Sequence, residues 1–175
     1  MIQDRRVKDN DIALIKVDHP FIFNYDVSGA CLSTRQEDRD ETEQLFAAGW
    51  GLTETRNQSP EKLLHANLTT VPIDKCREQY ELSGRRNILG QRQIHDTQYC
   101  AIGELINEAF ISDPCTEDSG GPLYYEEDTP DGKKFKLVGV ISYTINCMGY
   151  MPGVYVRVAS YLDWIASVAG SLEDW

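Results

Sequence analysis

Five cysteines, Cys31, Cys76, Cys100, Cys115 and Cys147, constrain what this chain can fold into more than any other feature of its 175 residues. None forms a CxxC pair, and no cysteine–histidine cluster has the spacing of a zinc site. Cysteines spread this widely suit a disulfide-stabilised, exported domain better than a metal centre. An odd number leaves one without a partner inside the chain. The first ten residues, Met1 to Asn10, are charged and lack the apolar stretch of a secretory signal. Disulfide chemistry without an export signal predicts that the N-terminal part of the natural product lies outside this sequence.

The length is enough for one domain with a sizeable core. An apolar fraction of 41% with 10% aromatic residues fits an ordinary globular protein rather than a disordered one. The net charge of −11, from 17 basic and 28 acidic residues, argues against nucleic acid or an anionic membrane as partner. No apolar run approaches the ~20 residues that span a bilayer. Internal repeats and low-complexity linkers are absent from the sequence.

The apolar pattern predicts many short strands. Asp11 to Val17 follows a polar turn and predicts a buried strand. Gln36 to Gln44 is acidic and predicts a solvated loop. Leu45 to Leu52 carries Ala-Gly-Trp-Gly, a strand running into a tight turn. Leu63 to Val71 predicts another strand, and Ile73 to Tyr80 a short helix. Leu123 to Tyr125 and Phe135 to Tyr143 predict two strands joined through Pro130-Asp131-Gly132, a strong turn signal. Val154 to Val158 predicts a further strand. Ser160 with Asp163 predicts a capping box, after which Tyr161, Trp164, Ile165 and Val168 share one helical face. The sum is an all-β sandwich or barrel with one terminal helix.

Chemistry concentrates in Asp113-Pro-Cys-Thr-Glu-Asp-Ser-Gly-Gly-Pro-Leu123. A serine hydroxyl is a weak nucleophile at neutral pH and needs a base to take its proton. It also needs N–H donors aimed at the oxyanion that forms. Glycines beside a serine let the main chain turn tightly and approach a substrate closely. Taken alone, the pentapeptide Asp-Ser-Gly-Gly-Pro is also compatible with an ordinary turn.

Five segments together carry a resemblance: Asp11-Ile-Ala-Leu-Ile-Lys, Ala48-Gly-Trp-Gly51, Cys115 to Leu123, Gly139 to Ser142, and Pro152-Gly-Val-Tyr155. In content and order the chain resembles the chymotrypsin/trypsin family of serine endopeptidases, and within it the arthropod clip-domain proteases and their homologues. The resemblance implies a trypsin-like double β-barrel. Residues 1–40 would be a remnant of the first barrel and the crossover, about 41–158 the complete second barrel, and about 160–170 the C-terminal helix. Such an enzyme needs no cofactor and no metal, and its partner is a protein substrate.

The resemblance also implies roles. Ser119 is the nucleophile. Asp11 is the buried carboxylate that orients a catalytic histidine, although by itself it reads as a turn residue before a strand. The backbone N–H groups of Glu117 and Ser119 form the oxyanion hole. Asp118 pairs with the α-ammonium group released by precursor cleavage; alone it reads as a solvated turn carboxylate. Ser142 hydrogen-bonds Asp11, and its backbone helps hold the substrate. Asp113, at the base of the primary pocket, selects Arg or Lys before the scissile bond, and Gly153 leaves the pocket wall open. Cys76 pairs with Cys100, and Cys115 with Cys147. Cys31 matches the cysteine that tethers a light chain or clip domain, against the plainer alternative of an unpaired buried thiol. Serpin-type inhibitors are partners the family allows. Asn67-Leu-Thr69 is a glycosylation sequon that matters if the chain is secreted, while Asn57-Gln-Ser59 precedes a proline.

Departures from the family pattern are equally legible. Glu117 replaces glycine in the oxyanion hole, where a side chain opposes the peptide orientation that presents its N–H inward. Thr144 replaces glycine at the pocket entrance and narrows it. Tyr143 replaces tryptophan, and Leu45 and Tyr125 stand where many relatives carry a cysteine pair. His19, His65 and His95 all follow Asp11, whereas the family's catalytic histidine precedes it. The chain alone is therefore expected to be inactive, and the half-built first barrel to expose core and sheet edges. The alternatives are a non-catalytic homologue that binds partners in a proteolytic cascade, or a fragment that does not fold alone.

Overall fold

The computed structural model describes residues 9–51, 60–83, 93–107, 110–111, 118–130, 132–144 and 151–170. Their strands are β1 (Cys31–Leu32), β2 (Leu45–Gly49), β3 (Leu64–Thr70), β4 (Gln98–Gly103), β5 (Leu105–Asn107), β6 (Phe110–Ile111), β7 (Pro122–Thr129), β8 (Gly132–Tyr143) and β9 (Gly153–Arg157). Helix α1 (Ile73–Leu82) lies between β3 and β4, and α2 (Leu162–Ala169) follows a 3-10 turn at Val158–Tyr161.

Alternation builds the sheet. Along β2, Leu45 and Ala47 turn inward while Phe46 and Ala48 turn out, and Leu68 and Thr70 of β3 do the same. The strand order is β1-β8-β7-β2-β3-β4-β9, and β9 pairs back onto β8. Strands β2, β3, β4, β9, β8 and β7 thus close a six-stranded antiparallel barrel, which leaves those six without a free edge. Strand β8 reaches three neighbours because it is long. One edge pairs β7 from Gly132 to Val140, and the other is shared end to end by β1, parallel at Lys136–Leu137, and by β9 from Gly139. Gly139 sits where the strands crowd: a methyl group there would lie 3.0 Å from the Val156 carbonyl oxygen and would need the backbone to give way.

Two apolar clusters flank the barrel wall. Leu45, Leu68, Tyr99, Leu123, Ile141 and Tyr155 fill the interior. Val71, Cys76, Tyr80, Ile94, Cys100 and Val154 pack between the wall and α1. Strand β9 is buried on both faces because it serves both clusters. The Cys76–Cys100 disulfide, expected from the family resemblance, joins α1 to β4 across 24 residues. Replacing both cysteines by alanine is expected to cost about 2–4 kcal/mol through the freed entropy of the unfolded chain. Differential scanning calorimetry of wild type and variant checks this; an unchanged midpoint would show the bridge to be energetically idle.

Arg157 ends β9 with its guanidinium buried, 4% exposed. It donates from Nε to the carbonyl oxygens of Asp96 and Gln98, from Nη1 to that of Gln36, and from Nη2 to Asp38 Oδ1. Asp38 Oδ2 accepts from the first N–H of α1, at Ile73, over 2.8 Å. A carboxylate at a helix N-terminus satisfies an orphan donor and complements the helix dipole. The acidic segment 36–44 is a loop, as its composition predicts, but one carboxylate in it ties the last strand to the first helix.

Two expectations are corrected. Asp11 to Val17 forms no strand: no neighbouring strand lies alongside it among the described residues, and Ile15 is 87% exposed. Ser160 caps no helix, because residues 158–161 tighten into the 3-10 turn and its hydroxyl donates to Gln36 Oε1 instead. The helical face of Trp164, Ile165 and Val168 is only partly covered, with Val168 55% exposed. No helix among the described residues is long and apolar enough to cross a membrane.

Candidate functional site

Ser119 sits in the turn that enters β7. Its neighbour Gly120 has φ +90°, a left-handed conformation that glycine adopts without strain. Gly121 N–H donates to the Asp118 carbonyl across the turn over 2.9 Å. A methyl group on Gly121 would lie 2.9 Å from that same oxygen, so the second glycine is needed for close approach. The turn is stitched to β8 by Gly120 N–H to Ile141 O at 2.8 Å and Ile141 N–H to Gly121 O at 2.9 Å.

That stitching brings Ser119 beside Ser142, and Ser142 joins the site together. Ser119 Oγ donates to the Ser142 carbonyl oxygen at 3.4 Å. Ser142 Oγ donates to Asp11 Oδ2 at 2.6 Å, a short bond typical of a charged acceptor. A hydroxyl and a carboxylate far apart in sequence thus meet on one residue that is itself 1% exposed. Ser119 and Asp11 are exposed. The expected burial of Asp11 is not observed, because the segment that carries it lies open rather than paired in a sheet.

Asp118 is held from the opposite side. Gly51 N–H donates to Asp118 Oδ1 at 2.8 Å. A methyl group on Gly49 or Gly51 would overlap this carboxylate. The two glycines around Trp50 therefore form a cradle for Asp118, a role that sequence reasoning missed; the Gly-Trp-Gly spacing was its only signal. Thr144 and Gly153 flank the Tyr143–Val154 pair at one end of the β8–β9 ladder. Thr144 is half-buried and Gly153 buried, where a methyl group would meet the Tyr155 hydroxyl oxygen at 3.1 Å.

The histidines are engaged elsewhere. His19 Nδ1 lies 3.1 Å from Asp18 Oδ1, His95 Nε2 lies 3.3 Å from Asp9 Oδ1, and His65 stands edge-on to Phe46. Cys31 is half-buried on β1 and has no disulfide partner among the described residues. Among those residues, no group of three His, Cys, Asp or Glu could hold a metal ion. Asp113, Cys115, Glu117 and Cys147 lie outside the described residues.

Comparison with known proteins gives a consistent picture. The family profile described as Trypsin matches residues 2–165. The CLIP domain-containing serine protease C9 of Anopheles gambiae is 38% identical over 170 residues, covering 95% of this chain and 46% of its own length. Serine protease Hayan of Drosophila melanogaster is 35% identical over 159 residues, 90% of this chain and 24% of its own. Complement C1s subcomponent of Sus scrofa is 32% identical over 166 residues, 93% and 22% respectively. The chain thus spans less than half the length of these curated relatives. Among solved structures, a scabies mite inactivated protease paralogue, S-D1, superposes with TM-score 0.63 at 26% identity over 87% of this chain and 59% of its own. Kallikrein-related peptidase 10 shares the fold with TM-score 0.59 at 24% identity, covering 87% of this chain and 61% of its own.

Proposed function

Because this chain belongs to the trypsin family of serine proteases, we propose that it is the nucleophile-bearing part of a secreted endopeptidase that cleaves after Arg or Lys. The observation that carries this reading is Ser142, which binds the hydroxyl of Ser119 and the carboxylate of Asp11 at once. Ser119 Oγ attacks the scissile carbonyl while a histidine, held by Asp11, accepts its proton. On this reading the histidine comes from polypeptide outside the 175 residues, since none precedes Asp11, and the chain alone turns over no substrate. Backbone N–H groups of Glu117 and Ser119 hold the oxyanion. Asp118, in its glycine cradle, accepts the α-ammonium group that precursor cleavage releases. Asp113 sits at the base of the primary pocket as a carboxylate for a cationic side chain, with Thr144 and Gly153 shaping its mouth.

The same reading places residues 1–40 with a first barrel and Cys31 in a bridge to an upstream light chain or clip domain. It pairs Cys115 with Cys147 and puts a glycan on Asn67. Serpin-type inhibitors would be among its partners. The deciding experiment is a cleavage profile of an activated longer form against a peptide library. Cleavage after Arg or Lys is the expected result; preference for aromatic or small residues would overturn the role of Asp113.

A second reading is a non-catalytic homologue that acts as a binding partner in a proteolytic cascade. Glu117 and Thr144 favour it, each placing a side chain where the family carries glycine, and S-D1, a similar structure, is an inactivated protease paralogue of the scabies mite. Sequencing of upstream transcript separates the two: a histidine in an Ala-Ala-His-Cys setting supports the enzyme, and its replacement supports the homologue.

A further inference from the structure

The outer wall of the barrel carries a feature that proteolysis does not use. Four rings form a continuous row across β3, β2, β7 and β8. His65 stands edge-on to Phe46 at 6.3 Å between centroids, Phe46 lies 5.6 Å from Tyr124, and Tyr124 meets Phe135 edge-on at 5.7 Å. None of the four belongs to either apolar cluster of the core. Phe135 is 47% exposed, His65 is exposed, and Phe46 and Tyr124 are half-buried. A contiguous aromatic surface that reaches water can serve as a binding face.

Register says what stands beside it. Asn67 is the direct cross-strand partner of Phe46, and Phe46 in turn of Tyr124. Directly opposed residues of an antiparallel pair project from the same face with Cβ atoms about 5 Å apart. His65 precedes Asn67 by two residues and shares that face. The sequon asparagine is therefore set into the aromatic row. Its amide nitrogen points outward, where Nδ2 donates to Glu104 Oε2 at 3.2 Å in an exposed hydrogen bond.

We propose that this row is the seat of a carbohydrate, the first N-acetylglucosamine residues of a glycan on Asn67, a proposal that rests on the secreted, glycosylated reading above. A pyranose presents a face of C–H bonds that carries slight positive charge, and an aromatic ring presents a negative face that attracts it. Phe46 and His65 lie within reach of the first sugar, while Tyr124 and Phe135 extend the row toward the next ones. Attachment forms a bond from Asn67 Nδ2 to C1 of the sugar. It breaks the C1–O bond to a lipid diphosphate donor, which leaves as the diphosphate, and the amide loses one proton. One N–H remains on the nitrogen.

The full chain produced through a secretory route tests this in two steps. Mass spectrometry of the Asn67 peptide reads occupancy. Thermal unfolding then compares the chain trimmed enzymatically to a single N-acetylglucosamine with the Asn67→Gln chain. The sugar is expected to raise the midpoint by about 2–4 °C in the wild-type background. It should raise it by nothing resolvable in Phe46→Ala, or in His65→Ala should Phe46→Ala not fold. An upfield ring-current shift of the sugar's acetyl methyl protons, lost in the same variant, is the second expected sign. An unoccupied Asn67 overturns the proposal together with the glycosylation reading beneath it. An occupied Asn67 with the same increment in every background overturns the seat alone.

Discussion

Replacing Ser119 by alanine in an activated form that carries the family histidine is expected to lower kcat by about 10⁶-fold, a scale general to serine–histidine–aspartate hydrolases. KM should change little, because the hydroxyl acts on the reacting carbonyl and adds little to ground-state binding. Steady-state hydrolysis of an arginyl ester over a range of concentrations reads both quantities, with the wild-type enzyme concentration fixed by burst titration of its active serine. Ser142→Ala is a useful companion, since it removes one donor to Asp11 and leaves the nucleophile in place. Its loss should be far smaller than that of Ser119→Ala, and should appear as a change in the pH profile if Asp11 orients the base. Equal, background-level rates in wild type and Ser119→Ala would establish the non-catalytic homologue. The 175-residue chain by itself should match the Ser119→Ala background.

Removing Arg157 should produce the largest loss of stability of any single substitution considered. The guanidinium is buried, donates to three carbonyl groups, and faces an Asp38 carboxylate whose side chain is 20% exposed. Deleting one partner of a buried ion pair leaves the other charge without compensation, which costs about 3–5 kcal/mol. The Arg157→Ala midpoint is therefore expected to fall by about 6–20 °C. Asp38→Asn combined with Arg157→Met should recover part of that loss, because no buried charge then remains. A fall of less than 3 °C for Arg157→Ala would show that the network contributes little.

The barrel is legible wherever side chains alternate or a short run of β-branched and aromatic residues stands between turns. Strands β2, β3, β7, β8 and β9 emerge from the apolar pattern, and the Pro130-Asp131-Gly132 signal falls in sequence where β7 ends and β8 begins. Strand β4 is not legible: buried from Gln98 to Ala101 it shows no period of two, and it lacks the run of β-branched and aromatic residues, Val154-Tyr-Val156, that marks the equally buried β9. Strand β1 has two residues, too few to show a period. Asp11 to Val17 has the apolar composition of a strand, but composition does not supply a neighbour to pair with. The hydrogen bond from Ser142 to Asp11 follows from the family resemblance and not from any local pattern. The Arg157–Asp38 pair has no local signature, since it joins residues 119 apart, and the glycine cradle of Asp118 has only the Gly-Trp-Gly spacing, which does not name its distant partner.

The closing strand has a consequence for how the molecule is made. A chain emerging in order from its N-terminus completes β2, β3 and β4 while the second edge of β8 and the far edge of β4 still await β9. Until Gly153–Arg157 arrives, the far edge of β4 and the Gly139–Tyr143 stretch of β8 stay open to other chains. Contacts between such distant residues are slow to form. The interval before residue 157 is synthesised is therefore when a chaperone would matter most, and truncation just ahead of β9 should turn a closed barrel into an aggregating species.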